Sequence, residues 1–198
     1  MRKFKSQAIV LAIAGLSLVV SGCGQLGAIK AKMSFKDANT LYGGQDYRAA
    51  AAKYEEAVAA DPNLTAAYFF LGNSYDNLYR PARRGEAAND ALLTKAVDNY
   101  RKAASTEQDP KIRQLALEYL VSAYGPDKLN DPSQQEPLVQ EMIKLSPTEP
   151  TNYFALAKIY EDNGEYESAE ASFLKAKEVR PTEPTVYTQL AGFYNRQG

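Results

Sequence analysis

Residues 147–164 read PTEPTNYFALAKIYEDNG, and residues 181–198 read PTEPTVYTQLAGFYNRQG. The two stretches superpose at an offset of 34, Pro147 on Pro181, Tyr153 on Tyr187, Tyr160 on Tyr194 and Gly164 on Gly198. A fixed period of this size marks an array of supersecondary units. Within the unit, Tyr153, Leu156, Ala157 and Tyr160 fall at spacings of 0, 3, 4 and 7, one apolar stripe of a helix. Asn163-Gly164 ends that helix, because glycine accepts the left-handed cap conformation. Ala169, Phe173 and Ala176 rebuild the stripe, and Pro181 stops the second helix. Small alanines let the two helices approach while aromatic rings fill the space around them.

The full pattern, Tyr153-x2-Leu156-Ala157-x2-Tyr160-x3-Gly164-x-Tyr166-x2-Ala169-x3-Phe173-x2-Ala176-x4-Pro181, resembles a tetratricopeptide repeat (TPR), helix A followed by helix B. A tyrosine stands where that family often has tryptophan. Reading outward, a first repeat ends in Asp46, Tyr47, Ala50, Tyr54, Ala57 and Pro62, with Ser34 where its helix A wants a bulky aromatic. A second begins at Tyr68, Leu71, Gly72 and Tyr75 and resumes at Ala96, Tyr100 and Ala103, so about twelve residues are inserted near 76–95. A third, the most divergent, runs through Leu117, Leu120, Val121 and Tyr124 to a second helix near Glu136 to Leu145. A fifth starts at Tyr187 and stops at Gly198. The resemblance implies an all-α, right-handed α-solenoid of about four and a half TPR helix pairs over residues 34–198.

The fourteen tyrosines then have a packing explanation, since all but Tyr42, Tyr79 and Tyr119 occupy framework positions with the hydroxyl at the rim. The last helix A would show Leu190, Ala191 and Tyr194 to a helix B that does not follow. Because repeat arrays close with a polar cap, we expect either a chain continuing past Gly198 or a second copy sealing that end as a homo-oligomer.

The amino terminus has a different grammar. Arg2, Lys3 and Lys5 precede an unbroken apolar run from Ala8 to Val20, which is followed by Ser21-Gly22-Cys23. A basic start, an apolar middle and a small-residue end describe a secretory signal. As a helix the run spans about 20 Å, short of the roughly 30 Å hydrocarbon core a membrane span must cross. Val20-Ser21-Gly22-Cys23 resembles a bacterial lipobox. The resemblance implies removal of residues 1–22 as a signal peptide, lipid (thioether diacylglycerol and an acyl chain) on Cys23, and a lipidated tether over 23–33. Two or three acyl chains anchor stably where one does not. The aspartate that holds such proteins at the inner membrane is absent, Gly24 standing there, so the resemblance implies the outer membrane facing the periplasm. Losing Arg2, Lys3 and Lys5 leaves 20 Lys+Arg against 24 Asp+Glu, and so acidic a body is expected to stand off an anionic surface.

Composition narrows the chemistry. The chain has no histidine and one cysteine, which removes the commonest general base, the commonest metal ligand and any internal disulfide. A near-neutral charge, 23 Lys+Arg against 24 Asp+Glu, does not suit a phosphate-tracking surface, so nucleic acid is not an expected partner. No phosphate loop, nucleophile elbow or paired-carboxylate motif occurs, and we assign no catalytic residue, cofactor or metal site. Asp127 and Asp131 lack the ligand spacing of an ion loop.

Recognition is expected on the helix-A face, the groove in which such solenoids take extended peptides. The positions one and five places after the first framework residue read Phe35 and Asn39, Phe69 and Asn73, Glu118 and Ser122, then Phe154 and Lys158. Where the family's clamp for acidic tails has lysines, this chain has phenylalanines, so the resemblance implies a groove for an apolar or aromatic segment. The competing reading packs those phenylalanines between neighbouring helices. In the insertion, Arg80, Arg83 and Arg84 surround Pro81 and either clamp an acidic partner or belong to a solvated lid, with Asn89 capping a lengthened helix. The expected function is a non-catalytic, lipid-anchored scaffold or adaptor that binds protein partners at the bacterial cell envelope. The alternatives are a dedicated assembly lipoprotein, such as a pilotin or an outer-membrane insertion factor, and an enzyme with a divergent acidic site.

Overall fold

The computed structural model describes residues 26–198, so the expected signal peptide and Cys23 lie outside the described residues. Among the described residues there are nine α-helices and no strand: α1 (residues 26–43), α2 (Tyr47–Ala60), α3 (Ala66–Leu78), α4 (Ala87–Thr106), α5 (Pro110–Ala123), α6 (Gln135–Leu145), α7 (Pro150–Asp162), α8 (Tyr166–Val179) and α9 (Pro184–Gln197). Each helix packs chiefly on the one before and the one after it, and α3 also touches α5, which is the nearest-neighbour pattern of an α-solenoid. The odd-numbered helices are the A helices and share one face.

Local chemistry sets the boundaries. Asp46, Asp109 and Glu149 cap α2, α5 and α7 by accepting the backbone N–H of Ala49, Lys111 and Thr151, and Pro110 and Pro150 occupy first-turn positions where a missing N–H costs nothing. Gly164 (φ 77°) closes α7, with Glu165 N–H donating to Tyr160 O at 2.8 Å. After α1 the same turn is made by Gln45 (φ 61°), with Asp46 N–H on Leu41 O at 3.0 Å.

The alanines do what the period implied. Ala50, Ala57, Ala96, Ala103, Ala157, Ala169 and Ala176 are fully or almost fully buried where partner helices cross. Closest is Gly72, where a Cβ would meet Tyr100 Cδ1 at 2.8 Å and Ala96 O at 3.0 Å. One apolar core runs from α1 through α7, and smaller ones hold α9: Phe173 with Leu190 and Phe193, and Tyr153 with Ala176 and Val186.

The tyrosines carry a second code, which the period alone does not reveal. The last tyrosine of each later A helix reaches back to the preceding B helix: Tyr75 donates to Glu55, Tyr160 to Glu136 at 2.8 Å and Tyr194 to Glu170, while Tyr124 accepts from Arg101. The first tyrosine of α7 and of α9 donates to the carbonyl six residues earlier, Tyr153 to Pro147 and Tyr187 to Pro181. Each hydroxyl thereby latches one repeat to the last. The bond to Glu136 holds the Tyr160 hydroxyl above its ordinary pKa, and burial with the Glu55 bond does the same for Tyr75.

Four expectations change. The tether over 23–33 is helix from residue 26, because Ala31, Ser34 and Ala38 find burial and extend α1 toward the amino terminus. Asn89 does not cap α4; it sits in the first turn of a helix that starts at Ala87, and its carboxamide pins the preceding loop through Arg80 N, Arg80 O and Arg83 O. Leu190 is buried against Phe173 and Phe193, so only Ala191 and Tyr194 of the final stripe face solvent. Tyr166, Tyr187 and Tyr194 are about half exposed and are not core fillers.

Candidate functional site

The expected aromatic ladder divides once side chains are placed. Phe69 is buried among Phe70, Tyr100 and Tyr119, with ring centroids 5.2 to 6.0 Å away. Asn73 is buried too, and its side-chain oxygen accepts from the Tyr42 hydroxyl and from Asn77 Nδ2 at 2.8 Å. Neither can meet a ligand without breaking the core, so both leave the site. Phe35 and Phe154 are half-buried, the first against Tyr54 and Phe70 and the second against Phe173. Asn39 is exposed but accepts from the Tyr54 hydroxyl at 2.7 Å. Lys158 is exposed and ion-paired with Asp162 one turn on.

The three arginines of the insertion do not converge. Arg80 donates back to Asn77 O at 2.8 Å, Arg83 pairs with Glu86, and Arg84 reaches across to Pro126 O at 2.6 Å. The last contact joins the insertion to the loop after α5. A second bridge runs beside it, from Lys128 Nζ to Asp76 Oδ1 at 2.6 Å, with the Asp76 side chain 7% exposed and also accepting from Tyr100. The two irregular hairpins therefore brace each other. Arg80 turns back over the C-terminal carbonyls of α3, where a cation is favoured by the helix dipole.

The open space on the A-helix face lies between α5 and α7. At the amino-terminal ends a cavity of about 550 Å³ is lined by Lys111, Gln114, Leu115, Glu118, Glu149 and Thr151 among others. At the carboxy-terminal ends a second, about 440 Å³, is lined by Tyr124, Asn130, Gln135, Lys158, Ile159 and Asp162 among others. In the wall of the first, Gln114 Nε2 donates to Asn152 Oδ1 at 2.7 Å, tying the two helices together. Asn152 is fully buried and spends its amide protons on Met142 O and Ser146 O. Gln114 Oε1 is left without a partner, and Leu115 is 39% exposed. The seam thus offers the apolar Leu115 side chain and charges of both signs from Lys111, Glu118, Glu149, Lys158 and Asp162, while Gln114 Oε1 is buried beneath it.

Of the sequence-read groove positions, Glu118 and Lys158 line this seam. Lys111, Gln114 and Leu115 of α5 and Thr151 of α7 were not singled out, because none of them stands at the two groove positions read in each repeat. No helix of the described residues is long and apolar enough to cross a membrane, and among them no three His, Cys, Asp or Glu side chains group as metal ligands.

Residues 150–183 match the tetratricopeptide repeat family. That match identifies the fourth helix pair as a tetratricopeptide repeat, and the other helix pairs repeat its architecture. The array is similar in fold to the crystal structure of MamA protein (TM-score 0.64, 18% identity, 85% of this chain and 83% of that one) and to MamA 41-end from Desulfovibrio magneticus RS-1 (TM-score 0.63, 15% identity, 85% of each). It is also similar to YrrB, described as a TPR protein with an unusual peptide-binding site (TM-score 0.55, 19% identity, 83% of this chain and 76% of that one). Comparison with curated proteins finds no match.

Proposed function

We propose that this chain is a non-catalytic scaffold, held at the bacterial cell envelope by lipid on Cys23, that binds an extended segment of a partner protein along the α5–α7 seam. The observation that carries the reading is the pair of cavities of about 550 and 440 Å³ at the two ends of α5 and α7, with the exposed Leu115 and charged side chains of both signs in their walls. That YrrB, of like fold, has a peptide-binding site supports a peptide or protein partner. The seam joins α5 and α7, each about 20 Å long, so a partner strand of about six residues spans it.

The test is in-cell photo-crosslinking from Leu115 and Lys158, with the buried Phe69 as control. A common partner captured from the first two positions and lost on Leu115→Asp supports the reading. Capture only from elsewhere, or capture indifferent to Leu115→Asp, would remove the seam as the site. Lipidation is read separately, by the mass of the amino-terminal peptide, with a Cys23→Ser variant as the unmodified control.

A further inference from the structure

The first helix has two faces with opposite fates. Ala31, Ser34 and Ala38 are buried, and a Cβ on Gly27 would meet Ala60 O at 2.9 Å, so α1 is seated against the end of α2 from its first turn. The opposite face carries Leu26, Ile29 and Met33, which are 69%, 57% and 63% exposed, the three most exposed large apolar side chains among the described residues. At 3.6 residues per turn they fall within an arc of about 60°. Lys30 flanks that arc on one side and Lys32 and Lys36 on the other, all exposed, with Asp37 the one acid on the helix. The apolar stripe stops after two turns. Its start lies three residues from Cys23, a reach of at most about 10 Å.

We propose that this face is a membrane-interface surface: Leu26, Ile29 and Met33 enter the boundary between headgroups and acyl chains, and Lys30, Lys32 and Lys36 meet anionic headgroups. The proposal deepens the envelope reading above and rests on Cys23 carrying the anchor. Charge decides for a bilayer over a second protein helix. An apolar stripe bordered by lysines is the pattern of a helix lying in an interface, and each lysine held at an anionic surface strengthens attachment by about fivefold. Three side chains over two turns also fall well short of the about 800 Å² per partner that stable pairing uses. The acidic balance of the chain without residues 1–22, which suggested a body standing off the surface, is overridden locally because α1 has the opposite sign where the chain meets the lipid. Since Gly27 and Ala31 seat α1 on the repeat array, docking this face would also fix the orientation of the first repeat.

The chain has no tryptophan, so Met33→Trp is a single reporter and Leu174→Trp, on the half-exposed surface of α8, is its control. The full protein, as the cell processes it, is purified in detergent and reconstituted into phosphatidylcholine vesicles with and without phosphatidylglycerol. The expected result is a blue-shifted Met33→Trp emission, lost mostly to brominated acyl chains, while the Leu174→Trp emission stays that of a water-exposed ring. Adding Leu26→Ser and Ile29→Ser should abolish the shift. Lys30→Glu, Lys32→Glu and Lys36→Glu together should reduce it on anionic vesicles only. A water-like Met33→Trp emission on vesicle-bound protein overturns the proposal. So does a shift already present without vesicles in a sample that scatters as a dimer. Intact mass keeps the two readings apart. An unmodified Cys23 refutes the anchor, yet the retained run Ala8 to Val20 would still bring the chain to the bilayer, and the reporter would still decide where α1 lies.

Discussion

Two helical glycines should respond to the same substitution in opposite directions. At Gly72 a Cβ would stand 2.8 Å from Tyr100 Cδ1, 3.0 Å from Cε1 and 3.0 Å from Ala96 O. Ordinary carbon contacts begin near 3.5 Å, so something must move by about 0.7 Å. Tyr100 cannot swing away: it is fully buried, lies 6.0 Å from Phe69 and 5.3 Å from Tyr119, and bonds to Asp76. Ala96 O is backbone in the middle of α4. The helices must therefore separate, which places Gly72→Ala toward the upper end of the roughly 1–3 kcal/mol that overpacking costs. Alanine's better helix propensity returns about 1 kcal/mol, leaving a net loss of about 2 kcal/mol. At Gly192, inside α9, the nearest atom is Arg196 Nη1 at 3.4 Å, the far end of a flexible side chain. There only the propensity gain remains, and Gly192→Ala should stabilise by about 0.5–1 kcal/mol. Urea unfolding followed by circular dichroism, with equal slopes as the check that the same surface is exposed, measures both. In thermal melts the loss at Gly72 should appear as about 4–8 °C. A Gly72→Ala protein as stable as the parent would refute the inference that α3 and α4 touch backbone to backbone, and a destabilised Gly192→Ala would refute the propensity argument.

Other outcomes follow from single contacts. Gln45 holds a left-handed φ of 61° where the equivalent turn after α7 uses Gly164, so Gln45→Gly should stabilise by about 0.5–1 kcal/mol in the same urea assay. Replacing Lys128 with alanine removes the mostly buried partner of Asp76, and limited proteolysis should then cut residues 125–131 faster while stability falls by about 2 kcal/mol; unchanged cleavage would show the bridge does not hold the loop. Arg196 holds the Glu161 carboxyl below its ordinary pKa, so this pair stabilises α9 above the usual glutamate range and is lost as pH falls through the depressed value. Hydrogen-exchange protection of α9, taken relative to the intrinsic rate at each pH, should fall on acidification in the parent and be lower already at neutral pH, with less further change, in Glu161→Gln.

How far the sequence could be read depended on the kind of signal. The offset of 34 between Pro147 and Pro181 fixed the helix pairs, because apolar spacing and cap chemistry are local and need no knowledge of the partner. Gly164, Pro110 and Pro150 did as their conformations require. Site residues were harder. Phe35, Phe69 and Phe154 hold equivalent places in three repeats, yet only Phe69 is buried, because Tyr119 of the next repeat closes over it. The α5–α7 seam was read only at Glu118 and Lys158, because Lys111, Gln114, Leu115 and Thr151 stand at neither of the groove positions read in each repeat.

By itself, then, the sequence determined the period, the helix stripes and the alanine crossings. Only the tertiary structure decided which groove residues stay open, where the tyrosine hydroxyls latch, that the insertion arginines are each engaged by a different acceptor of the chain itself, and that α1 reaches back to residue 26 with a bare apolar face. The physical reason is range. A helix stripe is set by neighbours three and four residues away, whereas the fate of one side chain on that stripe is set by what the adjoining repeats place above it.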